Sequence, residues 1–263
     1  MQLDPPAPNG SQGQYILETS NLSKDFGGFA AVSGVDLQIR RGSIHALIGP
    51  NGAGKTTVFN LLTKFLAPSN GSIRYNGRDI TQTAPADVAR LGLVRSFQIS
   101  AVFPHVTVLG NMQIALQRQL GVSFHFWRSG KVLSQLDDKA LALIQAVGLS
   151  DVVDAPAVEL SYGRKRALEI ATTLALDPEM LLLDEPMAGL GREDIVRISN
   201  LIRQAGATRT VLMVEHNLNV VANLCDKVTV LARGKVLTQG SYDEVSRNPQ
   251  VIEAYMGAGH DAC

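Results

Sequence analysis

Short apolar runs alternate with helical periodicities along most of the chain. YILE at 15–18, VDLQI at 35–39 and IHALI at 44–48 are short, rich in aliphatic and β-branched residues and separated by glycine-containing turns, which predicts strands. A glycine-rich stretch at 49–56 follows IHALI. TVFNLLTKFL at 57–66 then puts Val58, Leu61, Leu62 and Phe65 on one helical face, and Pro68 ends the helix. The turn PSNGS leads into IRYNG at 73–77, read as a hairpin. From 92 to 160 the texture changes. TVLGNMQIALQRQ at 107–119 and SQLDDKALALIQAVG at 134–148 have helical spacing, the second with Leu136, Leu143, Ile144 and Val147 in phase and Gly148 as a stop. No strand of comparable strength is visible there, so 92–160 is expected to be an inserted α-helical subdomain. After Ser161 a helix is expected to about 176, then the buried strand MLLLD at 180–184. REDIVRISNLIRQA at 192–205 is amphipathic, with Ile195, Ile198, Leu201, Ile202 and Ala205 on one side. TVLMV at 210–214 and VTVLA at 228–232 read as two more buried strands, and KVLTQG at 235–240 pairs back.

Strands that alternate with helices predict an α/β fold with a mostly parallel sheet flanked by helices on both faces. The expected division is a disordered tail at 1–13, a core at 14–91 and 161–240, the helical subdomain between them, and a helical tail at 241–263. The first 13 residues hold three Pro and two Gly and no basic-then-apolar pattern, so they do not read as a secretion signal.

Composition narrows the classes. The chain has 263 residues, 45% hydrophobic and 18% charged, which is globular. Lys+Arg and Asp+Glu are equal at 24 each, whereas a protein built to grip nucleic acid needs a basic excess. Cys225 and Cys263 cannot build a disulfide framework and form no CxxC, which points to a reducing compartment. No apolar stretch approaches the ~18 residues of a membrane span.

Two motifs carry chemistry. Gly49-Pro50-Asn51-Gly52-Ala53-Gly54-Lys55-Thr56 fits G-x-x-x-x-G-K-[ST], directly after a strand and opening a helix. Glycines let successive amides turn toward a polyphosphate, and the helix N-terminus adds unsatisfied N–H groups. Lys55 is placed for the β/γ-phosphates, the Thr56 hydroxyl for Mg²⁺, and Thr57 joins the nucleotide-binding set. The second motif is MLLLD followed by Glu185. A buried strand that ends in two adjacent carboxylates is costly unless they meet a cation or water. Asp184 is therefore expected on the Mg²⁺ side, with Glu185 polarising a water for in-line attack on the γ-phosphate. The fold expectation becomes an α/β P-loop NTPase core with an antiparallel β region and an inserted α-helical subdomain.

Leu160-Ser161-Tyr162-Gly163-Arg164 then resembles the signature motif of ABC-transporter ATPases, usually LSGGQ, and the resemblance spans residues 15–256. It implies that two ATPase subunits pair head to tail, with Ser161 and Gly163 of one capping the γ-phosphate of ATP on the other's phosphate loop. It also implies that Gln98, in VRSFQIS, approaches Mg²⁺ and the attacking water. His216, in MVEHNL, would contact the γ-phosphate, and Phe26 would stack on adenine; without the resemblance these read as a surface Gln, a structural His and a core aromatic. Three positions depart from the family pattern: Tyr162 for Gly, Arg164 for Gln, and Gly191 where Asp is common. None removes a group needed for phosphate, Mg²⁺ or water, so hydrolysis is expected.

The LSYG form, FGGFAAVSGVDL at 26–37 and NPQVIEAYMG at 248–257 look like the branched-chain amino-acid importer ATPases, a group with relatives that carry urea or amides. That resemblance implies ATP and Mg²⁺ as cofactors, transmembrane permease subunits as partners, a second ATPase subunit, identical or not, and indirectly a solute-binding protein. Its place would be peripheral, on the cytoplasmic face of the plasma membrane. The helical subdomain is where a permease would dock, with Gln98 to His105 near that surface, and Phe124, Phe126 and Trp127 either contact it or pack internally. A lipid exporter ATPase shares the catalytic residues and stays open as an alternative. A ribosome- or DNA-directed ABC ATPase would show a second phosphate loop or a long coiled coil, and a GTPase would show N-K-x-D; the sequence contains none of these.

Overall fold

The structure, a computed structural model, describes residues 13–96, 102–119 and 130–257, and the side chains of all but 118–119 and 130–135 among them. In chain order the elements are β1 Tyr15–Phe26, β2 Phe29–Arg40, β3 Ile44–Ile48, α1 Lys55–Leu62, β4 Asn70–Tyr75, β5 Arg78–Asp79, α2 Pro85–Arg90 and β6 Leu93–Ser96. Then come α3 Val108–Gln119, α4 Gly130–Ala146, α5 Tyr162–Leu174, β7 Met180–Asp184, α6 Arg192–Gly206, β8 Thr210–Val214 and α7 Leu218–Leu224. The chain closes with β9 Lys227–Ala232, β10 Lys235–Gly240, α8 Tyr242–Ser246 and α9 Pro249–Gly257.

Two compact units are present: residues 1–95, 179–186 and 203–263 form one, and residues 96–178 with 187–202 form the other. The first unit carries both sheets. One is antiparallel, in the order β2-β1-β4-β5, and the other runs β10-β9-β3-β8-β7-β6. In the second sheet β3 is parallel to both β8 and β9, β7 is parallel to β8, and β10 is antiparallel to β9. Strands β3, β7 and β8 are buried at every position. Their near-continuous apolar sequences follow from that, because a parallel sheet is covered on both faces.

Side-chain alternation splits the core in two. Leu47 of β3 joins Leu182, Leu212, the α1 residues Val58, Phe59 and Leu61, and Leu17, Leu37 and Ile73 of the antiparallel sheet in one cluster. Its neighbours Ala46 and Ile48 point the other way, into a cluster with Val221 of α7, Val245 of α8 and Val251 of α9. Burial of this kind stabilises by about 25 cal/mol per Å² of apolar surface removed from water. The helical tail is thus packed on the strand that delivers the phosphate loop.

Three local readings change. Helix α1 ends at Leu62, where the Thr63 hydroxyl donates back to the Phe59 carbonyl at 2.7 Å, so Phe65 lies beyond the helix and is exposed. Residues 93–96 form a strand, β6, at the start of the segment read as purely helical. It escaped notice because Arg95 cuts its apolar run. A short helix, α2, with Pro85 at its first position, precedes it.

In the second unit α3, α4 and α5 pack together, and α6 begins there with Ile198, Leu201 and Ile202 buried. Ser161 caps α5, its side chain accepting from the Arg164 amide at 3.4 Å. Phe124, Phe126 and Trp127 lie outside the described residues, as do Gln98 and Cys263.

Candidate functional site

Three parallel neighbours end at the same edge of the sheet. Gly49 follows β3, Glu215 and His216 follow β8, and Glu185 follows β7, in the spatial order β3-β8-β7. Ligands of open α/β sheets collect at such carboxyl ends.

The loop after β3 is shaped by its backbone. Gly54 sits at φ +99°, and a Cβ there would lie 2.6 Å from the Ala31 carbonyl oxygen of β2, so a side chain is excluded by strain and by space together. The Gly54 carbonyl accepts the Val58 amide at 2.9 Å and starts α1. Lys55, the first residue of that helix, is buried. Its Nζ donates to the carbonyls of Gly49 at 2.7 Å and Pro50 at 2.9 Å, folding the side chain back over the loop. Burial pulls the Lys55 ammonium below its usual value, against the opposing pull of the Glu185 and Asp184 carboxylates. Thr56 is exposed and Thr57 half-buried.

Asp184 closes β7 and is 2% exposed, with Oδ2 at 2.5 Å from Nη2 of Arg95. Glu185 follows in a left-handed backbone conformation, φ +46°, its amide donating to the Val214 carbonyl at 3.0 Å. A non-glycine residue held there stores about 1–3 kcal/mol, a pattern that concentrates at functional sites. Its carboxylate meets His216, whose Nε2 lies 2.9 Å from Glu185 Oε1. His216 is held in turn by Glu215, which is buried and accepts the amides of His216 at 2.9 Å and Asn217 at 3.2 Å. Asn217 then caps α7, accepting the Val220 amide. The structure therefore gathers Lys55, Asp184, Glu185 and His216, which are spread over 162 positions (216 minus 55 plus one) of sequence. Glu215 and Arg95 were not among the sequence candidates.

Phe26 ends β1 and is 48% exposed, which removes the reading as a core aromatic; the Lys24 ammonium lies 5.2 Å from its ring centroid. In the other unit Gly163 is buried, and the Asp194 carboxylate occupies the space where a Cβ would go, so a side chain there would have to displace it. Arg164, in place of the usual Gln, pairs with Asp151 at 2.7 Å, and this contact holds the Asp151 carboxyl below the usual range. Tyr162 is exposed with its ring against Gly189. Nothing lies within 4 Å of a Cβ built on Gly191.

The residues fit a magnesium nucleotide. The glycine-shaped loop with an inward lysine suits phosphate, and the donors beside it, the Thr56 hydroxyl and the Asp184 carboxylate, are oxygens of the kind a hard divalent cation takes. Among the described residues no group of three or more His, Cys, Asp or Glu could hold a metal ion.

A phosphate loop on a parallel sheet, an acidic strand end and a capped signature helix define an ATP-binding cassette. The ABC transporter family profile matches residues 32–188, and a second profile, described as branched-chain amino acid ATP-binding cassette transporter, matches residues 235–261. The chain belongs to the ABC transporter family and is an ATP-hydrolysing subunit of a transporter. It is 37% identical over 254 residues to the high-affinity branched-chain amino acid transport ATP-binding protein LivG of Salmonella typhimurium, covering 93% of this chain and 98% of that protein. BraF of Pseudomonas aeruginosa, of the same description, is 37% identical over 252 residues, covering 92% of this chain and 98% of BraF. Among solved structures, an ATP-binding cassette of an ABC transporter in its ADP conformation superposes with TM-score 0.81 at 31% identity, covering 93% of this chain and all of that one. A nucleotide-free cassette superposes with TM-score 0.80 at 31% identity, covering 92% and 98%.

Proposed function

We propose that the chain powers uptake of branched-chain amino acids, or of a related small polar solute such as urea or an amide, as one ATPase subunit of an importer. The observation that carries this reading is the full-length likeness to LivG and BraF, extended to the C-terminal segment by the branched-chain profile at 235–261. That segment holds β10, α8 and α9. Among the described residues no helix is long and apolar enough to cross a membrane. In this reading transmembrane permease subunits carry the solute pathway. The ATPase sits against them at the cytoplasmic face, and a solute-binding protein delivers cargo from the other side.

In the proposed cycle ATP lies on Gly49–Thr56, with Phe26 against adenine and Thr57 beside the phosphates. Mg²⁺, when bound with ATP near Thr56, Asp184 and Gln98, would neutralise phosphate charge. Lys55 leaves the carbonyls of Gly49 and Pro50 for the β/γ-phosphates, exchanging two neutral acceptors for charged ones, which are about twice as strong. Glu185 takes the proton of the attacking water, and His216 steadies the carboxylate and faces the γ-phosphate. Ser161 and Gly163 of a second ATPase subunit close over that phosphate through the end of their helix, so two chains trap each nucleotide. Closure and reopening of the pair move the permease.

Affinity purification of the complex from its native membrane tests the transport reading. A permease pair that depends on a solute-binding protein, with ATPase activity stimulated by that protein loaded with leucine, isoleucine or valine, supports it. Membrane subunits of a lipid exporter contradict it.

A further inference from the structure

The group that ties the site together was not a sequence candidate, although it stands three residues before Gln98 in VRSFQIS. Arg95, on β6, is 9% exposed. Its Nη2 donates to Asp184 Oδ2 at 2.5 Å, its Nη1 donates to Asn60 Oδ1 at 2.6 Å, and its guanidinium lies 5.7 Å from the ring centroid of Phe59. Asn60 and Phe59 belong to α1, the helix that the phosphate loop opens, and Asp184 ends β7. One cation therefore joins β6, β7 and α1 beneath the nucleotide site.

Its electrostatic role follows from burial. A carboxylate removed from water needs an opposite charge close by. Asp184 has one in Arg95 at hydrogen-bond distance, with the Lys55 ammonium also in its field, and a divalent cation arriving on the same carboxylate stands directly against Arg95. The two positive charges then stand within a few ångströms of each other in a partly dry site, where like charges repel far more than in water. Arg95 also contacts the carboxylate through Oδ2 and is itself held by Asn60, so it ties the position of that oxygen to the phosphate-loop helix.

We infer that Arg95 is the resident counter-ion of Asp184, a positioning residue that orients this carboxylate before the divalent cation arrives and weakens that cation's binding by sharing its ligand. This rests on the reading of Asp184 as the Mg²⁺-side carboxylate. It gives the cation-free protein a charge-matched site, and it makes release of the cation after hydrolysis easier than an unshared carboxylate would allow.

The test measures Mn²⁺ binding to the full chain in the presence of ADP, by electron paramagnetic resonance, together with thermal melting in EDTA. Arg95→Gln removes the charge and keeps a polar end; it is expected to bind Mn²⁺ about fivefold tighter or more than the parent and to melt lower in EDTA. Arg95→Lys keeps the charge without the fork, and its Mn²⁺ affinity is expected within about twofold of the parent. Should Arg95→Gln fail to fold, Arg95→Met, whose unbranched stem can still pack on Phe59, carries the same expectation. A merely structural arginine would lower the melting temperature and leave Mn²⁺ affinity unchanged or weaker in the neutral variants, and that result overturns the inference. A parent with no ADP-dependent Mn²⁺ site overturns the reading of Asp184 as well, so the two failures are distinguishable.

Discussion

His45 couples the stability of the phosphate-loop strand to pH. It lies at the second position of β3, fully buried between β8 and β9, with Nε2 2.8 Å from the Thr229 hydroxyl. Burial, helped by the charge of Lys227, lowers the imidazole pKa from 6.5 to about 3. The unfolded chain therefore takes up a proton at this residue below pH 6.5 that the folded chain refuses, and the folded state loses stability as pH falls from 6.5 toward 3. Relative to pH 8, this one group removes on the order of 1 kcal/mol at pH 5.5 and on the order of 3 kcal/mol at pH 4.5. His45→Gln, which keeps a polar group within reach of Thr229, is expected to be less stable than the parent at pH 8. Its stability should nevertheless fall less on acidification, by on the order of 1 kcal/mol between pH 8 and 5.5. Urea unfolding followed by circular dichroism at both pH values measures the two slopes, and contributions from groups other than His45 cancel in the comparison. An equal loss of stability in parent and variant would refute the claim that His45 is held neutral.

Three substitutions probe the site itself. Glu185→Gln is expected to bind ATP normally and hydrolyse it about 10²–10⁴-fold more slowly, measured by phosphate release; the parental rate would remove Glu185 as the base. Lys55→Ala should abolish calorimetric ATP binding, and unchanged binding would count against the phosphate loop. Gly54→Ala places a methyl 2.6 Å from the Ala31 carbonyl and forces alanine to φ +99°. The backbone strain alone is about 1–3 kcal/mol, so nucleotide affinity or folding stability should fall measurably, and a neutral result would show the loop is not as fixed as its geometry implies.

Legibility from sequence followed the range of the interaction. The phosphate loop and the acidic strand were readable because their chemistry demands residue types at fixed local spacing, and strands IHALI, MLLLD and TVLMV because a sheet covered on both faces leaves uninterrupted apolar runs. The helix that follows Ser161 was readable for a similar local reason. Arg95 was not: its partners Asn60 and Asp184 lie 35 and 89 positions away, and no periodicity links them. The same residue hid β6, since a charge in a four-residue strand looks like loop until its buried partner is known. Glu215 was likewise invisible as the support of His216, because a carboxylate that accepts backbone amides leaves no pattern. Phe65 misled in the opposite sense: it continues the helical spacing of Val58, Leu61 and Leu62, but the helix stops before reaching it.

The measurement that tests the central claim most directly is a structure of the Glu185→Gln chain with ATP and Mg²⁺, alone or with its partner ATPase. The account predicts triphosphate along Gly49 to Thr56, Lys55 withdrawn from the Gly49 and Pro50 carbonyls, and Ser161 and Gly163 of the opposing subunit over the terminal phosphate. Nucleotide bound elsewhere, or a pair joined through other surfaces, would contradict it.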